Sequence, residues 1–210
     1  MATIELHTWG TPNGRKLTIL LEELGEPYDI HPVNIGKDEQ FAPEFLKISP
    51  NNKIPAIVDD GAESGPLSIF ESGACMIYLA DKYGRFLARD GHERWTTIQW
   101  LMWQMGGLGP MMGQLGWFAT NAPDNIQGVE RYAQEVRRLF NVLDKRLSEA
   151  PYLGGEAYSI ADMAVWPWIA QYRTRIKDHI EPMYEARENI VAWFERVAAR
   201  DAVQRGFKLP

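Results

Sequence analysis

The chain opens on alternation. The run Ile4-Glu5-Leu6-His7-Thr8-Trp9 has period two and predicts a strand. Gly10 breaks it, and Thr11-Pro12 then opens a helix: threonine is a good N-cap, and proline is preset for the first helical position. Leu17, Leu20, Leu21 and Leu24 repeat at i, i+3, i+4 and i+7, and Gly25 closes the element. Tyr28 to Val33 predicts a second strand, and Phe41 to Ile48 a short helix. Ala56–Asp59 and Leu67–Phe70 are short strands flanking the turn region Asp60–Pro66, which predicts an antiparallel hairpin. A helix follows from about Ser72 to Tyr83, ended by Gly84.

This β-α-β-α-β-β-α order is that of an α/β thioredoxin-like domain, assigned to residues 1–87. Beyond a linker at Arg89-Asp90-Gly91 the periodicity is helical throughout, and residues 92–210 are assigned to an all-α domain. One long helix is expected from His92 to Ala119, bent at Gly106-Gly107 or Pro110. Val129, Tyr132, Val136, Leu139, Phe140, Leu143 and Leu147 form an apolar stripe of near-helical period on a second. A third begins at Ser159-Ile160-Ala161-Asp162, a capping-box variant, and a fourth runs from about Tyr184 to Ala199.

Charge and cysteine content narrow the function classes. The formal net charge is −6, which argues against a nucleic-acid groove or an anionic membrane surface. The single cysteine, Cys75, allows no internal disulfide and no CxxC pair for dithiol redox work, so it is read as a small buried hydrophobe. The four histidines are scattered without ligand spacing, and no metal is expected. The first residues lack the pattern of a signal peptide, so a reducing, cytoplasmic setting is expected. Trp100 to Phe118 is free of charge and approaches the length of a membrane span. Its two glutamines, proline and five glycines favour a core helix, a subunit contact or a pocket wall instead.

Six segments carry a family resemblance. They are Thr11-Pro12-Asn13-Gly14, Gln40-Phe41, Ser49 to Ala56, Phe70 to Ala74, Gln104 to Pro110 and Tyr158 to Asp162. Together they resemble the cytosolic glutathione transferases, and within them the bacterial Nu-class branch, which is also similar to the yeast nitrogen-regulatory prion protein. The resemblance implies a cytoplasmic homodimer that binds glutathione, as thiol or disulfide, and turns it on a small electrophile or disulfide.

What the resemblance implies residue by residue has a physical basis. A helix N-terminus offers N–H groups and partial positive charge, and a thiol placed there ionises more easily. The family holds the glutathione sulfur at such a point, which gives Thr11 and Asn13 catalytic roles; capping alone would explain the same residue types. Ile54-Pro55 is implied to be cis, with the Ile54 backbone pairing to the cysteinyl part of glutathione. Ser72 and the N–H groups of its helix would take the γ-glutamyl carboxylate, and Glu71 the ammonium. Gln40, Asn52 and Lys53 are implied near the ligand's ends. Arg131 is implied to reach a glutathione site across the dimer, although it lies off its helix's apolar stripe. The rival reading is a non-catalytic binding or regulatory protein of the same fold. The prion relative uses an Asn/Gln-rich tail for regulation, and this sequence contains none, which favours an enzyme.

Overall fold

Strand β1 (Ile4–Thr8) buries Ile4, Leu6 and Thr8 and half-buries Glu5 and His7, the alternation its sequence predicts. The computed structural model describes residues 3–210. By internal contact the chain forms two compact units: residues through Arg85 together with Arg200–Pro210, and Phe86–Ala199.

In the first unit β1 leads to α1 (Pro12–Leu24), β2 (Tyr28–Pro32), two short 3-10 turns at Ile35–Lys37 and Glu39–Phe41, and α2 (Pro43–Ile48). Then come β3 (Ala56–Asp59), β4 (Leu67–Phe70) and α3 (Ser72–Tyr83). The sheet order is β2-β1-β3-β4, with β1 parallel to β2 and antiparallel to β3, and β4 antiparallel to β3. This is a thioredoxin-like domain. Leu17, Leu20, Leu21 and Leu24 of α1 are buried as the stripe predicts, each contributing about 1.5–3 kcal/mol by leaving water. Gly25 ends α1 at φ 73°, its N–H donating to Leu21 O at 3.0 Å. At the end of β3, buried Asp59 accepts from Tyr78 Oη at 2.6 Å, from Gly61 N at 2.9 Å and from Lys82 Nζ, which ties α3 to the sheet.

The last helix in the sequence, α10 (Asp201–Lys208), packs along α1. Thr18 Oγ1 donates to Gly206 O at 2.7 Å, and a Cβ on Gly206 would stand 2.7 Å from Ile19 N, so only glycine permits this approach. Arg200 forms a bidentate pair with Glu23 at 2.5 and 2.8 Å, and Arg205 reaches Glu22 at 2.7 Å. The sequence reading placed residues 200–210 with the helical half; the structure places them on the first unit.

The second unit is helical. In place of one helix over 92–119 it has α4 (Gly91–Trp103), a π segment (Gln104–Leu108) that spans Gly106-Gly107, and α5 (Gly109–Asn121). Next are α6 (Ile126–Glu149), which buries Val136, Leu139, Phe140, Leu143 and Leu147, and α7 (Ile160–Arg175). The helix expected over 184–199 corresponds to α9 (Glu188–Ala198), and a separate helix that was not expected, α8 (Lys177–Glu185), precedes it. Asp162 is the hub of this unit: fully buried, it accepts from Leu153 N (2.9 Å), Ser159 N (3.0 Å), Ser159 Oγ (2.9 Å) and Trp193 Nε1 (2.8 Å). The capping box at Ser159 is therefore also a tie between α7 and α9. Among the described residues no helix is long and apolar enough to cross a membrane.

Candidate active site

The start of α1 is fixed from both sides. Thr11 is extended (φ −108°, ψ 163°) and its Oγ1 accepts the Gly14 N–H at 3.1 Å, so it is the N-cap that its sequence predicts. A hydroxyl has one proton and two lone pairs, and with a lone pair committed to Gly14 its O–H is the group left to donate. Gly14 sits against the preceding loop: a Cβ there would collide with Trp9 O and Thr8 Oγ1. The helix end is thus held close to β1, with Asn13 on its first turn.

The stretch from 49 to 55 is built by a buried serine. Ser49 Oγ donates to Lys53 O at 2.8 Å and Ser49 O accepts from Asn52 N at 2.9 Å, with Asn52 in the left-handed region at φ 49°. This turn delivers Ile54 and Pro55, joined by a cis peptide bond, directly into β3.

Across from it, β4 passes into α3 through Glu71, whose backbone is at φ 70°, ψ 114°. A non-glycine residue held at positive φ is costly and marks a place where surrounding structure dictates conformation. Ser72 begins α3 and is buried, while Glu71 is exposed. Below them lies Lys16 of α1, only 1% exposed, whose Nζ donates to Ser72 Oγ at 3.4 Å. Burial pushes the Lys16 ammonium well below the usual lysine range, and the charge of Glu71 pulls it back up.

These three pieces enclose a cavity of about 250 Å3, lined by Asn13, by Ser49, Asn51, Lys53, Ile54 and Pro55, and by Phe70, Glu71 and Ser72. Of the residues singled out from sequence, it brings together Asn13, Lys53, Ile54, Pro55, Glu71 and Ser72. Neither Asn52, which stands between the lining residues Asn51 and Lys53, nor Thr11, two residues before Asn13, lines it. Gln40 lies in the 3-10 turn after β2; its Nε2 donates to Asp38 Oδ1 at 3.4 Å, and its enclosed Oε1 finds no hydrogen-bond partner among the described residues. Arg131 belongs to α6 of the other unit. Lys16, Ser49, Asn51 and Phe70 were not read as site residues from sequence.

The cavity combines a carboxylate, cationic and neutral donors, a helix N-terminus and a short apolar wall. It suits a small zwitterion with an extended backbone. No protein thiol is available to it: Cys75 is buried in α3, donates to Ile69 O at 3.3 Å, and burial pushes its pKa up to about 12. Among the described residues no group of three or more His, Cys, Asp or Glu could hold a metal ion.

Residues 11–82 match the family model for the glutathione S-transferase N-terminal domain, and residues 126–196 that for the C-terminal domain. The disulfide-bond oxidoreductase YfcG of Escherichia coli K12 is 53% identical over 203 residues, covering 95% of this chain and 92% of that one. A glutathione transferase family member from Pseudomonas fluorescens Pf-5, solved with two glutathione bound, superposes with a TM-score of 0.94 at 45% identity, covering 99% of this chain and 93% of that one. A glutathione transferase from Pseudomonas putida, solved with one glutathione disulfide per subunit, gives 0.93 at 41% identity, with 99% and 91% covered.

Proposed function

The chain belongs to the glutathione transferase family, and we propose that it is a glutathione-dependent disulfide reductase whose reactive sulfur is supplied by glutathione itself. The observation that carries this reading is one cavity joining the first turn of α1, the cis Ile54–Pro55 segment and the Glu71-Ser72 start of α3. The γ-glutamyl end of glutathione carries one carboxylate and one ammonium. Ser72 and the N–H groups of α3 complement the first, and Glu71 the second. With that end anchored, the cysteinyl backbone runs alongside Ile54, and its sulfur reaches the N-terminus of α1. There the Thr11 hydroxyl, Asn13 and the helix dipole stabilise a thiolate.

The reaction then needs no protein thiol. The glutathione thiolate attacks one sulfur of a disulfide; the S–S electron pair leaves with the other sulfur, which takes up a proton. A second glutathione thiolate attacks the glutathionyl sulfur of the mixed disulfide, releasing the second thiol and glutathione disulfide. Glutathione is oxidised and the substrate reduced. Relatives solved with two glutathione molecules or with the disulfide support this stoichiometry. Gln40, Asn52 and Lys53 are assigned to the ends of the ligand. Arg131 is assigned to a glutathione site completed by a second copy, in a cytoplasmic homodimer.

Steady-state rates with a small dialkyl disulfide and with an aryl halide test the assignment. Faster turnover of the disulfide is expected. Strong aryl conjugation beside negligible disulfide reduction would make the protein a conjugating transferase with an electrophilic substrate.

A further inference from the structure

Lys16 is out of place for its position. It shares a helix face with Leu20 and Leu24, four and eight residues on, and a leucine there would avoid the cost of burying an amine. Yet the side chain is 1% exposed and directed at Ser72 Oγ, 56 residues away in sequence, at 3.4 Å.

The contact has a direction. An amine, charged or neutral, offers N–H, so the Ser72 oxygen is the acceptor. The Ser72 side chain that takes this contact also lines the cavity. Resting on the glutathione reading above, we propose that Lys16 is a positioning residue for the γ-glutamyl carboxylate: its buried N–H anchors the Ser72 oxygen and so holds that side chain where the ligand's carboxylate arrives. The charge of Glu71, adjacent to Ser72, opposes the effect of burial on the amine without cancelling it.

The test compares glutathione with 4-aminobutanoyl-cysteinylglycine, the same tripeptide without the γ-glutamyl α-carboxylate. Binding of each to the parent, to Lys16→Met and to Ser72→Ala is measured by calorimetry. The parent is expected to prefer glutathione. Lys16→Met is expected to weaken glutathione roughly 10- to 100-fold, the scale of one hydrogen bond to a charged group, while leaving the truncated analogue nearly unchanged. Lys16→Gln, which keeps an N–H donor, should recover part of the preference. In a Ser72→Ala background Lys16→Met should have little further effect. Lys16→Leu, matching its neighbours on that face, supplies the same comparison if the methionine variant folds poorly. Equal weakening of both ligands would reduce Lys16 to a structural part and overturn the proposal, as would an undiminished effect in the Ser72→Ala background. A parent that does not bind glutathione at all would instead overturn the functional reading, and this inference with it.

Discussion

Thr11 Oγ1 already accepts the Gly14 N–H at 3.1 Å, so what it can give a sulfur is its proton. Thr11→Ala and Asn13→Ala are each expected to slow disulfide reduction roughly 10- to 100-fold, as loss of one hydrogen bond to a thiolate would. The loss should appear in kcat per folded molecule, because Thr11→Ala also removes a cap worth about 1 kcal/mol. Cys75→Ser, in contrast, should keep most of the activity and an unaltered pH profile in the neutral range. The Cys75 thiol, pushed by burial to about 12, is protonated throughout that range. Loss of turnover in a folded Cys75→Ser protein would require a mixed disulfide on the protein. Ser72→Ala and Glu71→Ala should each abolish most of the rise in Tm that glutathione produces in the parent. At this scale the sequence was legible where a residue has a familiar local role, as at Thr11, Glu71 and Ser72. It was silent at Lys16, whose only signal was a lysine aligned with Leu20 and Leu24 on a buried face; its partner Ser72 lies 56 positions away, beyond any helical period.

Among the elements, α7 depends on one carboxylate. Removing Asp162 strands buried donors on Ser159, Leu153 and Trp193, each at about 1–3 kcal/mol, so Asp162→Ala should lower stability by about 3 kcal/mol or more in denaturant titrations. The capping sequence foretold the start of α7; the Trp193 contact could not be foretold, since it comes from another helix. Asp59 ties α3 to β3 and gives a pH signature. Burial raises its pKa, but the hydrogen bonds from Lys82, Tyr78 and Gly61 outweigh that and leave it depressed. Its contribution to stability is therefore present above the ordinary aspartate value of about 4 and is lost as pH falls through the lower folded value. Asp59→Asn should make the acid limb of a Tm-against-pH curve shallower below about pH 4. An unchanged limb would place the acid sensitivity elsewhere. The division of the predicted helix over 92–119 shows what periodicity misses: a π segment keeps the chain helical while changing its hydrogen-bond register, so the apolar pattern passes through it without a stop signal.

At the scale of the whole molecule, the order of elements along the chain and the switch from mixed α/β to all-helical sequence were readable, because both follow from hydrophobic period and turn residues. The destination of the last helix was not, because α10 is amphipathic like the helices before it and nothing local distinguishes α1 as its partner. The contacts themselves are specific: Arg200 to Glu23, Arg205 to Glu22, and Gly206 against Ile19. That arrangement sets an order of events during synthesis. Residues 1–85 leave the ribosome first, yet α1 remains without its outer cover until residues 200–210 have been added. The first unit to emerge is thus the last to be completed, and its exposed α1 face must wait through translation of the entire helical unit.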